Sequence, residues 1–101
     1  MKRSEHLLVC LMEECAEVQQ AVAKSLRFGL EDHHPKRPDL TNEAEILTEF
    51  YQLVAVMDLL QEEEMISSLS EVEVERIKKR KLEKLDEYME YSRNSCHLIE
   101  D

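Results

Sequence analysis

Residues 12–25 read MEECAEVQQAVAKS, and this stretch carries three glutamates at helical spacing, Glu13, Glu14 and Glu17. Residues three or four apart on a helix are neighbours on its surface, so these carboxylates crowd one another. Like charges at such short range repel unless a cation lies among them. A second acidic segment, residues 45–52, follows after a loop. We predict that the two segments lie on facing helices with a metal site between them.

The composition of the whole chain indicates an all-α protein. The 101 residues include one Gly, two Pro and no Trp, so few positions break helices. This length suits a single domain, over residues 1–101, with a modest core. We expect three main helices, over residues 4–28, 42–65 and 70–94, in an antiparallel bundle.

Net charge and cysteine count restrict the partners and the compartment. The net charge of −10 argues against nucleic-acid polymers and anionic membranes as partners. No apolar run approaches the roughly 18 residues needed to span a bilayer, and the N-terminal one is too short for a signal peptide. The three cysteines, an odd number, argue against a closed disulfide framework and favour a reducing, cytoplasmic location.

Each predicted helix has signals for its start or its end. Ser4 is predicted to cap the start of the first helix, and Gly29 is predicted to end it. Thr41 or Asn42 caps the second helix. Ser70 begins a capping-box pattern before the third.

The second helix is apolar on nearly every side near its end, where residues 53–60 read LVAVMDLL. A helix buried all round needs more cover than two other helices of a short chain supply. We therefore expect a homo-oligomer, at least a dimer, with the second helix near its centre.

Helical geometry predicts which acidic side chains face each other. On each helix the acidic residues lie on the same side of the apolar face. When two helices pack face to face and antiparallel, these two sides fall on the same side of the pair. Glu17 lies about 16 Å and Gln52 about 15 Å from the intervening turn, so their heights match. The facing sets are Glu13, Glu14 and Glu17 on the first helix and Glu45, Glu49 and Gln52 on the second.

The ligand chemistry of these groups points to phosphates. Carboxylate oxygens select hard cations such as Mg²⁺ or Mn²⁺. Magnesium so held takes the rest of its shell from water and substrate phosphates, which predicts phosphoryl transfer or phosphoanhydride hydrolysis. Lys24, on the same stripe as Glu17, and Arg27 would neutralise the outer phosphates. The competing interpretation is a set of solvated acids on an acidic protein.

Two further segments carry candidate substrate contacts. Residues 30–41, LEDHHPKRPDLT, form a loop of about a dozen residues, a length often associated with ligand binding. His33 and His34 at its centre, and Asn42 after it, are either solvated or part of a substrate loop. On the third helix, RIKKRK at residues 76–81 is either a solvated face with i,i+4 partners or a cation source over bound phosphates.

Three of these segments in this order resemble a known family. EECAE at residues 13–17, KSLRFG at 24–29 and TNEAEILTE at 41–49 are similar to the all-α nucleoside triphosphate pyrophosphohydrolases of the MazG-like superfamily. The likeness is greatest to short single-domain members from bacteria and phages, and it covers roughly residues 5–92. EExxE alone is a weak motif, whereas the ordered set is fairly specific.

The resemblance implies a helical fold assembled as dimers or tetramers. It also implies Mg²⁺-dependent cleavage of a nucleoside triphosphate to a monophosphate and pyrophosphate. The metal ligands of the family map to Glu14, Glu17 and Glu49 of this sequence, and Gln52 stands where the family has Asp. An amide oxygen carries no charge, so this departure predicts a weaker metal site, with Glu45 as an auxiliary acid.

In the implied reaction, Glu13 or Glu14 polarises the attacking water. The candidates for holding the phosphates are Lys24, Arg27 and Lys81. Two alternatives stay open: a nucleotide-binding or regulatory relative that lost catalysis through Gln52, and a plain helical oligomerisation module. The base and the sugar of the substrate cannot be read from the sequence.

Overall fold

Three α-helices make up the secondary structure of the computed structural model, which describes all of residues 1–101. Helix α1 spans Arg3–Phe28, α2 spans Asn42–Glu62 and α3 spans Glu71–Asn94, so the predicted all-α class and helix count are confirmed. The chain divides into two compact units, Met1–Ser67 with α1 and α2, and Ser68–Asp101 with α3. No helix is long and apolar enough to cross a membrane. The single domain and the three-helix bundle stay predictions.

Only the C-terminal end of α1 follows its sequence signal. The helix begins at Arg3, and its N-cap residue Lys2 makes no side-chain capping bond, so the prediction that Ser4 is the cap was wrong. At the other end, Gly29 has a φ of 95° and its N–H donates to the Ser25 carbonyl at 2.8 Å. A residue with a Cβ rarely adopts this φ, which is why glycine ends the helix here.

The starts of α2 and α3 are capped as the sequence indicates. The Thr41 hydroxyl accepts a bond from a first-turn backbone N–H at 3.1 Å, so Thr41 rather than Asn42 caps α2. Ser70 caps α3 in the same way at 3.2 Å. Helix α2 ends at Glu62, three residues before the predicted end. Its last turn holds no basic residue to offset the helix dipole, and Glu64 just beyond has a φ of 59°.

Side-chain pairs join α1 to α2 in the order that an antiparallel pair produces. Arg3 at the start of α1 pairs with Glu63 just after α2. Lys24 near the end of α1 pairs with Glu45 in the first turn of α2, at 2.7 Å. The acidic segments of the two helices are therefore brought to the same level.

The two packed helices enclose a small core. Only Ala21 and Leu60 among the apolar residues are buried. Two helices cover one face of each other and leave the remaining faces open, so several apolar residues of α1 and α2 are exposed. These exposed apolar residues are Leu8, Val22, Leu26, Leu47 and Phe50.

Residues 30–41 form a loop, as predicted, and backbone bonds hold it against the helix ends. Asn42 is buried, its side-chain amide donates to the Gly29 carbonyl at 2.8 Å, and its backbone N–H donates to the Asp32 carbonyl at 2.8 Å. An isolated antiparallel bridge joins His33 to Thr41. The loop is thus fixed where α1 ends and α2 begins.

Asn42→Ala is expected to lower the free energy of unfolding by about 1–3 kcal/mol, because it leaves the Gly29 carbonyl without its side-chain donor. Urea denaturation followed by circular dichroism measures the loss. Asn94→Ala, at the exposed end of α3, is the matched control and should change stability little. Equal losses in both variants would contradict the role given to Asn42.

Candidate metal centre

Three glutamates from two helices meet in one cluster. Glu14 and Glu17 lie one turn apart on α1, and Glu49 lies on the facing side of α2. One carboxylate oxygen from each residue lies within 4.8 Å of the others. The predicted meeting of the two acidic segments is confirmed for these three residues. Their spacing is short enough for one cation to contact all three.

Two carboxyl groups of the cluster, those of Glu14 and Glu49, have a raised pKa and are easier to protonate than ordinary glutamates. Partial burial, then the charge of Glu17 and a hydrogen bond with it, then the charge of Glu13, raise the pKa of Glu14 above the usual 4.5. A hydrogen bond with Glu17 is the largest cause of the raised pKa of Glu49, followed by burial and by the charges of Glu17, Glu14 and Glu45. A hydrogen bond between two carboxyl groups requires a shared proton, which a divalent cation would displace.

Two oxygens of the cluster lack any hydrogen-bond partner. Glu14 Oε2 and Glu49 Oε2 are buried, and no donor of the protein reaches either atom. Buried polar atoms without a partner are rare because each one costs free energy. A hard cation such as Mg²⁺ would supply the missing interaction, since it prefers carboxylate oxygens. The residues present therefore fit such a metal.

The other predicted acidic positions have different surroundings. Glu45 holds Lys24 in an ion pair and adds its charge to the environment of Glu49. Glu13 is exposed beside Glu14, whose pKa its charge helps to raise. Gln52 is exposed and its side chain makes no hydrogen bond within the protein. The central cluster is therefore formed by three carboxylates, with the other positions around it.

A cavity of about 360 Å³ opens beside the cluster, and we call it the carboxylate cavity. Glu17 and Glu49 line it together with two cations, Lys24 and Arg37. The sequence reasoning missed Arg37, although PKRP within the loop is a basic segment. The Arg37 N–H donates to the His34 carbonyl and the Arg37 carbonyl accepts from the Leu40 N–H, so turns within the loop fix its backbone. Arg37 lies in the loop outside both helices, so helical spacing cannot assign it to a site.

A second cavity of about 570 Å³ adjoins the first, and we call it the loop cavity. Lys24 and Gln20 line both cavities, which places them side by side. The predicted substrate-contact residues gather here, on the walls of a single space. They are Lys24, Arg27, His33, His34 and Asn42.

The basic run on α3 lies in the second compact unit, Ser68–Asp101. Lys81 is exposed there, and its phosphate-binding role stays a prediction. Lys78 pairs with Glu75 one turn earlier, at 3.6 Å, as a solvated helical face would. Neighbouring basic residues line only an open surface hollow.

Comparison of the chain with protein-family models, with curated proteins and with solved structures finds no match. The likeness to MazG-like pyrophosphohydrolases therefore rests on the sequence segments given above.

Proposed function

We propose that this protein is a Mg²⁺-dependent nucleoside triphosphate pyrophosphohydrolase of the MazG-like type. The observation that supports this most is the cluster of Glu14, Glu17 and Glu49, in which two buried oxygens have no partner. Two cations, Lys24 and Arg37, line the cavity beside it. Carboxylates for a metal next to cations for phosphates are what a phosphoanhydride hydrolase needs.

Glu14, Glu17 and Glu49 would hold the metal. When bound, Mg²⁺ supplies charge neutralisation on the phosphates and lowers the pKa of water. In the proposed reaction a water oxygen bonds to the α-phosphorus and the α–β anhydride bond breaks. The products are a nucleoside monophosphate and pyrophosphate. Glu13 or Glu14 takes the proton from the attacking water.

Lys24 and Arg37 would hold the departing pyrophosphate. An ammonium group has three N–H donors, so Lys24 can keep its bond to Glu45 and still donate to a phosphate oxygen. Arg37 makes no ion pair in the protein, which leaves its guanidinium available for two parallel bonds to one phosphate. Arg27 would act nearer to the loop cavity.

A second candidate function is a nucleotide-binding or regulatory protein with weak or no turnover. The observation that favours it is Gln52, an exposed amide one turn after Glu49, where the resembled family places Asp. Three charged ligands in place of four would weaken the metal site. A nucleotide would still contact the cations that line the two cavities.

We also propose that the fold is completed by a second copy, as an antiparallel helical bundle. Leu8, Leu47 and Phe50 remain about half exposed on the packed helices. Exposed apolar surface on several faces of one small unit supports burial against another subunit. Sedimentation of the full chain would test this, with a monomer at all concentrations as the contradicting result.

The decisive experiment is a panel of ribo- and deoxyribonucleoside triphosphates incubated with the full chain and Mg²⁺ or Mn²⁺. We expect equal amounts of pyrophosphate and monophosphate, and no reaction in the presence of a chelator. Gln52→Asp, run in parallel, should tighten Mg²⁺ binding about tenfold by restoring a charged ligand. Nucleotide binding without turnover in both proteins would favour the second candidate. Neither binding nor turnover would contradict both and leave a plain helical module.

A further inference from the structure

The loop cavity has the size and walls of a site for an organic group rather than for a phosphate. Its volume of about 570 Å³ falls within the range of about 300–1,000 Å³ typical of small-molecule sites. The Phe28 ring lies on its wall and is 57% exposed, with the Arg27 guanidinium 5.1 Å from the ring centroid. An exposed aromatic ring beside a guanidinium is a surface on which a nucleobase stacks.

Charged groups of both signs line this cavity: Lys24 and Arg27 carry hydrogen-bond donors, and Asp32 supplies its one carboxylate. Asp32 lines it, and its carboxylate makes no hydrogen bond or ion pair within the protein. The Asn42 amide donates one of its two N–H groups to the Gly29 carbonyl, and its amide oxygen accepts no hydrogen bond within the protein. An aromatic ligand that pairs with Asp32 must present N–H groups.

Hydrogen bonds also set the tautomers of the two histidines. His33 Nδ1 lies 3.0 Å from the His34 carbonyl, which can only accept, so Nδ1 carries the hydrogen and Nε2 is an acceptor. His34 Nδ1 accepts from the Lys36 N–H at 3.1 Å, so its Nε2 carries the hydrogen. In their neutral forms, His33 adds one acceptor and His34 adds one donor to the cavity.

A carboxylate distinguishes among the common bases by their N–H pattern. Guanine presents two adjacent donors, N1–H and the 2-amino group, which match the two oxygens of one carboxylate. Adenine places its single amino group next to the acceptor N1, and uracil flanks N3–H with two carbonyl oxygens that a carboxylate repels. Guanine is therefore the base that Asp32 recognises best.

We propose that the loop cavity binds the guanine base of the substrate, with Asp32 paired to its N1–H and 2-amino group and Phe28 beneath the ring. The inference rests on the proposed function, because it takes the ligand to be a nucleotide. Since Lys24 lines both cavities, a nucleotide whose base occupies the loop cavity places its phosphates towards Glu17 and Glu49.

The test compares kcat/KM for GTP, ATP and inosine triphosphate, which lacks the 2-amino group. We expect GTP to exceed each of the others by about tenfold, the usual worth of one bidentate contact. Asp32→Asn should reduce the GTP preference to within about twofold. Asp39→Asn is the matched control, since it makes the same charge change in the same loop at a residue that does not line the cavity.

A binding measurement separates failure of this inference from failure of the proposed function. If no triphosphate is hydrolysed, the proposed function is wrong, and titration of the full chain with GMP and AMP by NMR still tests the cavity. Preferential GMP binding that Asp32→Asn removes and Asp39→Asn keeps would support the assignment. Equal affinity for GMP and AMP, or equal effects of the two variants, would overturn it.

Discussion

Glu49→Gln is expected to lower Mg²⁺-dependent turnover by roughly 100-fold or more while raising the melting temperature of the metal-free protein. The substitution removes one of the three clustered charges and one buried oxygen that lacks a partner. The Glu49 charge contributes to metal binding when a metal is present, and it destabilises the folded protein when the metal is absent. Opposite changes in activity and stability are therefore the signature of a binding site.

Two measurements check this expectation. Thermal unfolding in chelator should show a rise of roughly 5 °C for Glu49→Gln, and added Mg²⁺ should stabilise the variant less than the wild type. Glu43→Gln is the control, because it makes the same charge change in the first turn of α2. It should leave turnover intact and lower stability slightly, since an acid there favours the helix dipole. A Glu49→Gln protein that keeps both full turnover and its response to Mg²⁺ would rule out the site.

The stability of the metal-free protein is expected to fall as the pH rises from 4.5 through the raised pKa values of Glu14 and Glu49. The pKa values of Glu14 and Glu49 are raised in the folded protein above the ordinary value of 4.5. Between the unfolded and the folded pKa, the folded state binds more protons than the unfolded state. The contribution of these groups is therefore fully present below pH 4.5 and is lost as pH rises through their folded pKa.

Magnesium should remove this dependence, because the cation takes the place of the shared protons and favours the ionised carboxylates. Melting temperatures measured from pH 5 to pH 8, with chelator and with Mg²⁺, give two curves whose separation grows with pH. Glu49→Gln in chelator should show a shallower slope than the wild type. If the two proteins have the same slope and Mg²⁺ changes neither, the coupling among these carboxyl groups is absent.

Helical spacing and capping residues were sufficient to predict most of the local structure. Gly29 marks the end of α1 and Thr41 marks the start of α2. Both could be read from the sequence because a helix cap depends on the backbone conformation and hydrogen bonding of a few neighbouring residues. The start of α1 was assigned to Ser4, although a helix can begin without a side-chain cap. The end of α2 was placed too late, since apolar spacing carries no information about an unfavourable acidic last turn.

The three clustered glutamates could be predicted because both helices keep a regular period and a single loop of about a dozen residues favours their antiparallel packing. Glu14, Glu17 and Glu49 meet as that geometry predicts. The same reasoning gave Glu45 a place in the cluster, whereas the structure pairs it with Lys24 at 2.7 Å. Spacing shows which face a side chain lies on, but the reach of a long lysine decides its partner.

Sequence therefore accounts for the helices, some of their ends and the meeting of the acidic faces, since these follow from local periodicity and chain connectivity. Tertiary packing accounts for the unsatisfied oxygens of Glu14 and Glu49, for the position of Arg37 and for the loop cavity around Phe28. These features depend on contacts between a non-periodic loop and two helices. Helical spacing does not describe such contacts, so only the tertiary structure shows which side chains surround the acidic residues of the segment 12–25.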